Sequence, residues 1–287
     1  MSKPKKLCIF CGQASPISQE HLWSEWIAGH TTARSPLRTT QEHGFTHRAP
    51  GTVTVDPATT RHSKQPLLNL RVREVCRSCN TGWMSRLDAH VKPIILGMMR
   101  SEPCLLDPLQ ATDLATWTVM KSFVNEFAGR PGDDPTPRPA STPEMRRYVM
   151  EHQTPPPLSL VWAGHGHHTG DLHLHIAAAR LHIVTSAEAT EEISGTMTSF
   201  TVEHLTLLAW TVDRREPTPP VLPHATWPML WPAPAAVRWP SVTRLTDREI
   251  AAPVAQHNRR YPVLPFHLIS QRDNPARERS ADGLASP

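Results

Sequence analysis

Two Cys-x2-Cys pairs, Cys8/Cys11 and Cys76/Cys79, constrain the fold of this chain more than any other feature. Each is a turn tight enough to aim two thiolates at one ion, and two such turns complete the four-thiolate tetrahedron of a structural Zn²⁺. The long stretch between them is no obstacle, because the entropic cost of closing a loop grows only slowly with its length. Four of the five cysteines sit in these pairs, which suits metal binding in a reducing compartment better than a disulfide framework. Cys104, beside Pro103 and Leu105, reads as a small apolar filler.

At 287 residues the chain has room for one large domain or two modest ones. It shows no charged-then-apolar leader and no apolar run long enough to cross a bilayer, so it is expected to be soluble and cytoplasmic, with no membrane partner. A net charge of +4 is a mild excess, not in itself a nucleic-acid signature. Local charge is more telling. Lys3, Lys5 and Lys6 precede the first cysteine pair, and Arg71, Arg73, Arg77 and Arg86 surround the second.

Leu22–Ile27 reads as a short helical run with Trp23, Trp26 and Ile27 on one face. Residues 28–66 are polar and rich in Thr, His, Arg and Pro, and read as a long loop. Strand character returns over 68–75, and residues 80–88 form a helix with Trp83, Met84 and Leu87 as its inner stripe. Over 105–130 the pattern predicts a connecting helix: Asp107 caps it, Pro108 fits its first turn, and Leu114, Trp117, Met120, Val124 and Phe127 recur at helical spacing. Residues 131–157 read as a Pro-rich linker. The region 155–265 is β-rich, with strands over 158–162, 172–185 and 200–212, Trp-Pro edge segments, and a capping-box helix start at Thr246–Glu249. The tail, 270–287, reads as disordered.

The order Cys-x2-Cys, Glu20-His21, strand, then Cys-x2-Cys-Asn80 opening a helix resembles the HNH endonucleases over about residues 7–90. The resemblance implies an α+β protein whose residues 1–95 form a zinc-stapled ββα-metal (treble clef) core, followed by a β-rich domain. It makes Glu20-His21 the acidic-His pair and Asn80 the final position of the motif, with Asn69 the candidate for the middle Asn. It also implies phosphodiester hydrolysis in nucleic acid, with DNA the expected substrate and Mg²⁺ or Mn²⁺ the catalytic cation. In this reading His21 is the general base, because a neutral imidazole at cellular pH can take a proton from water. Glu20 and Asn80 supply oxygen ligands to the hard cation. Zinc on Cys8, Cys11, Cys76 and Cys79 is structural, and Arg71, Arg73 and Arg77 contact phosphate. Successive residues of a regular strand face opposite ways, so Glu20 and His21 can share a site only if the chain bends there.

The rival reading is a non-catalytic zinc module that recognises DNA or protein. His165, His167, His168, Asp171, His173 and His175 form a second polar cluster. Gly164, Gly166 and Gly170 make a hairpin tip the simpler account of it than a metal site.

Overall fold

The computed structural model describes residues 6–31, 39–43, 46–49, 52–55, 59–63, 67–127, 139–166, 173–184, 190–214, 219–260 and 266–270. β1 (Ile17–His21) leads into a single helical turn, α1 (Glu25–Ala28). Four short strands follow: β2 (Thr39–His43), β3 (Thr46–Ala49), β4 (Thr52–Val55) and β5 (Thr59–Ser63). The expectation of a long loop over 28–66 is corrected by these strands. Strand pairing rests on backbone hydrogen bonds, so Thr-rich strands can form with little hydrophobic signal; of these four, Thr52–Val55 alone alternates polar and apolar residues.

β6 (Arg71–Cys76) runs antiparallel to β1, setting Ile17 opposite Cys76 and His21 opposite Arg71. It opens directly into α2 (Arg77–Cys79), a π turn (Asn80–Met84) kinked at Gly82, and α3 (Ser85–Met99). Trp83, Met84 and Leu87 are buried as their spacing predicts, and Val91, Ile95 and Met98 extend the stripe.

β7 (Cys104–Leu106) precedes α4 (Pro108–Asn125). α4 begins where the sequence places it: Asp107 Oδ1 accepts from the Gln110 amide at 2.8 Å, and Gln110 Oε1 accepts from the Asp107 amide at 3.1 Å. A capping box of this kind satisfies two otherwise orphaned donors. Asp107→Ala is therefore expected to cost about 1 kcal/mol in urea denaturation; an unchanged midpoint would show that the cap contributes nothing.

Over 131–157 the sequence reads as a linker, yet α5 (Pro143–His152) forms there, with Thr142 Oγ1 accepting from the Met145 amide. Its Arg146 is buried and its Nε donates to the Ile9 carbonyl at 3.0 Å, so a tertiary contact holds this helix against the first cysteine turn. The remaining elements are β8 (Ser159–His165), β9 (His173–Val184), β10 (Thr190–Val202), β11 (Leu205–Val212), β12 (Met229–Trp231), β13 (Val237–Trp239), α6 (Asp247–Arg260) and β14 (Phe266–Ser270). The stretch 200–212 is two strands rather than one, turning at Glu203, whose φ is +51°. Residues 271–287, the expected tail, lie outside the described residues.

An antiparallel sheet of order β12-β8-β11-β10-β9-β14-β2-β5 dominates the chain. Smaller pairs are β1-β6, β13-β7 and β3-β4. With its helices packed on antiparallel strands, the protein is α+β. β11 is buried along its whole length because both faces of the sheet are covered. Val161, Ala163, Leu207 and Ala209 belong to the main core, while Trp162, Leu208 and Trp210 alternate into a smaller cluster with Trp227 and Leu245.

The main core runs without a break from Cys8 and Trp83 through Trp117 and Phe123 to Phe200. α4, expected as a connector, is central to it. Its apolar stripe and its opposite face of Thr116, Thr118, Lys121, Ser122 and Asn125 are both buried. Thr116 and Thr118 satisfy their hydroxyls on the carbonyls four residues back, each at 2.7 Å. Among the described residues no helix is long and apolar enough to cross a membrane.

Candidate functional site

The cysteine cluster is built by two turns meeting edge to edge. In the first, the Gly12 amide donates to the Cys8 carbonyl at 2.9 Å, and Gly12 takes a φ of +70° that a side chain would oppose. In the second, the Cys79 amide donates to Cys76 Sγ at 3.5 Å, and the Cys76 amide reaches across to Cys8 Sγ at 3.3 Å. The Ile9 amide on the Glu74 carbonyl (3.0 Å) and the Arg77 amide on the Pro16 carbonyl (2.9 Å) lock the turns together. Phe10 packs edge-on against Trp83, with centroids 5.1 Å apart, directly behind them.

All four sulfurs lie within 4.8 Å of one another, and Cys11 Sγ is 3.7 Å from Cys76 Sγ. A tetrahedral zinc with bonds of about 2.3 Å spaces its sulfurs by about 3.8 Å, so these residues fit that ion. Among the described residues this is the one His/Cys/Asp/Glu group with such convergence. Without metal the thiols share protons unequally. The hydrogen bond from the Cys79 thiol draws Cys8 down to about 4 against the opposing effect of burial. Donating that bond, together with burial, pushes Cys79 up, and burial raises Cys11.

The same two segments wall a cleft of about 130 Å³ lined by Glu20, His21, Ser24, Asn80, Asp88 and Lys121 among others. The β1–β6 register shifts between Ser18 and Glu20, and β1 ends at His21, where the adjacent Glu20 and His21 both line the cleft. Glu20 is buried and its Oε1 accepts from Lys121 Nζ at 2.6 Å. The same ammonium donates to the His21 carbonyl at 3.0 Å. His21 Nε2 lies 3.9 Å from Glu25 Oε2, and His21 Nδ1 is buried with no hydrogen-bond partner among the described residues. Asn80 Nδ2 donates to Ser18 Oγ at 3.0 Å and to the Gln19 carbonyl at 3.2 Å, which fixes the orientation of the amide.

Glu20, His21 and Asn80 therefore converge. The arginines lie outside the cleft: Arg71, Arg73 and Arg77 are exposed on the β6–α2 segment, and Arg71, opposite His21, donates to Gln19 Oε1 at 3.1 Å. Asn69 is exposed in a 3-10 turn (Leu67–Asn69) and does not line the cleft. His165 is not at a hairpin tip; it is buried at the end of β8, 2.9 Å from Ser101 Oγ and edge-on to Trp239. Burial, with Arg244 and His204 adding to it, lowers its pKa. His167, His168 and Asp171 lie outside the described residues, as do the side chains of His173 and His175.

Two residues of the cleft escaped sequence reasoning. Lys121 carries a signal that could have found it: between Asp113 and Glu126 it is the one charged residue, in a run that apart from Asn125 is otherwise apolar or hydroxylated. A lone cation in such a run needs a buried partner. Asp88 carries none. It accepts from Trp26 Nε1 at 2.6 Å, from Trp117 Nε1 at 2.9 Å and from the Ser24 hydroxyl, joining α3 to α4 and to the entry of α1. No protein-family model, curated protein or solved structure matches this chain.

Proposed function

We propose that the protein is a metal-dependent endonuclease of the HNH type, hydrolysing phosphodiester bonds in nucleic acid, with DNA as the substrate. The proposal includes a structural zinc on the four cysteines and a treble-clef reading of residues 7–90. One observation carries it: Glu20, His21 and Asn80 share a single cleft between the two segments that the cysteine cluster draws together.

Hydrolysis needs a deprotonated water in line with the leaving oxygen and a counter-charge for the phosphoryl oxygens. His21 accepts the proton from water, with the Glu25 carboxylate 3.9 Å from its Nε2. Glu20 and the Asn80 amide oxygen fit a hard cation by donor type, and Mg²⁺ or Mn²⁺ held there supplies Lewis-acid stabilisation of the phosphate. Arg71, Arg73 and Arg77, exposed on the β6–α2 segment beside the cleft, hold the backbone of the nucleic acid.

The test is plasmid nicking with Mg²⁺ or Mn²⁺, with and without chelator. His21→Ala is expected to cut the rate by about 10²- to 10⁴-fold with zinc content and circular dichroism unchanged; undiminished cleavage would remove His21 as the base. A second reading, a non-catalytic zinc module that recognises DNA or protein, is favoured by the Lys121–Glu20 pair at 2.6 Å, in which the protein itself supplies the cation on the carboxylate. Salt-sensitive gel retardation without cutting would select that reading.

A further inference from the structure

Lys121 lies outside the segment that resembles the nucleases, on a helix whose main role is packing, yet its ammonium ends in the cleft. The side chain is 3% exposed, and Glu20, its partner, is 10% exposed. Nζ binds Glu20 Oε1 at 2.6 Å and the His21 carbonyl at 3.0 Å, touching both neighbours at the end of β1. An ion pair this dry is not a strong source of stability, since desolvation offsets most of the Coulomb gain. Its effect on the site is more specific. Glu20 has one oxygen held by an internal cation and one left for a ligand. A divalent cation approaching that second oxygen meets a fixed like charge a few ångströms away.

We infer that Lys121 is a positioning residue that holds the Glu20 carboxylate and the His21 main chain and weakens the affinity of the cleft for divalent cations. Hence the cleft is loaded only where such cations are abundant, and the carboxylate is never left unpaired when it is empty of metal. The inference rests on the nuclease reading in one respect only, that Glu20 is a cation ligand.

The experiment uses full-length zinc-loaded protein and Mn²⁺ as the probe, with free Mn²⁺ read by electron paramagnetic resonance. Lys121→Met is expected to bind Mn²⁺ about tenfold or more tightly than the wild type, because a like charge at this range is removed from a poorly solvated site. The gain must vanish in Lys121→Met with Glu20→Gln. Equal affinity in wild type and Lys121→Met, or no binding in either, overturns the inference. Should the single variant fail to fold, the wild-type protein labelled with ¹⁵N-lysine answers the same question. The Lys121 ammonium signal shifts as Mg²⁺ saturates the site, and a signal that Mg²⁺ leaves unmoved overturns the inference. Tightened Mn²⁺ binding without plasmid nicking would reject the nuclease and leave the role of Lys121 standing. Nicking with unchanged Mn²⁺ affinity would do the reverse.

Discussion

Cys79→Ser is expected to abolish zinc uptake and unfold the segment 7–99, not merely loosen it. The four sulfurs converge within 4.8 Å in a part of the chain where two turns, the β1–β6 pair and the start of α2 meet. A structural Zn²⁺ held by four thiolates contributes on the order of 10–16 kcal/mol of apparent binding free energy at neutral pH, comparable to the whole stability of a typical domain at about 5–15 kcal/mol. Zinc content by mass spectrometry and melting by circular dichroism check this together, and a Cys79→Ser protein that melts like the wild type would sink the structural-zinc reading. The pH dependence has a definite sign. Cys11 and Cys79 are raised above the ordinary thiol value in the metal-free cluster and so hold their protons at neutral pH. Zinc must displace those protons, so apparent affinity rises with pH and chelators strip the protein most easily in acid.

Asp88→Ala is the second large effect, expected to lower the unfolding free energy by about 3–5 kcal/mol. The carboxylate accepts from two indole N–H groups and one hydroxyl, and removing it leaves all three donors without their acceptor at once. Each buried donor left unsatisfied costs about 1–3 kcal/mol. Asp88→Asn keeps the shape but turns an N–H₂ toward at least one donor, so it should fall between Ala and the wild type. Urea denaturation ranks the three proteins. A loss under about 1 kcal/mol for Asp88→Ala would mean that water replaces the carboxylate and that these bonds add little net stability. Because Asp88 also lines the cleft, the same variants report on whether the wall of the cleft must be rigid for any activity it has.

Much of the local structure was legible because its causes lie within a few residues of one another. The two Cys-x2-Cys turns announce themselves by spacing. Asp107 with Gln110, and Thr246 with Glu249, are caps whose donors and acceptors sit three positions apart. The buried stripe of Trp83, Met84 and Leu87 follows from the helical period, while its continuation through Val91, Ile95 and Met98 lies beyond the helix the sequence marked. What failed was anything requiring knowledge of the facing element. α4 reads as a connector from its one apolar stripe, but strands β10 and β11 and helices α3 and α5 pack around it beyond its first turn. α5 sits in a Pro-rich stretch and depends on Arg146 reaching the Ile9 carbonyl, 137 residues away. Of the strands between 39 and 63, Thr52–Val55 alone alternates polar and apolar residues, over four positions, and the other three carry no such pattern.

The candidate site divides the same way. Residue types at fixed offsets, Glu20-His21 and Cys79-Asn80, could be singled out from the sequence because covalent neighbours stay neighbours in any fold. By itself, the sequence determined the cysteine turns, the caps and the helical stripes, all of them governed by backbone geometry over one or two turns. Only the tertiary structure decided that Lys121 would neutralise Glu20 from 101 residues away and that Asp88 would gather two tryptophans and a serine. Burial creates the need for such partners, and which partner arrives is settled by how whole elements pack.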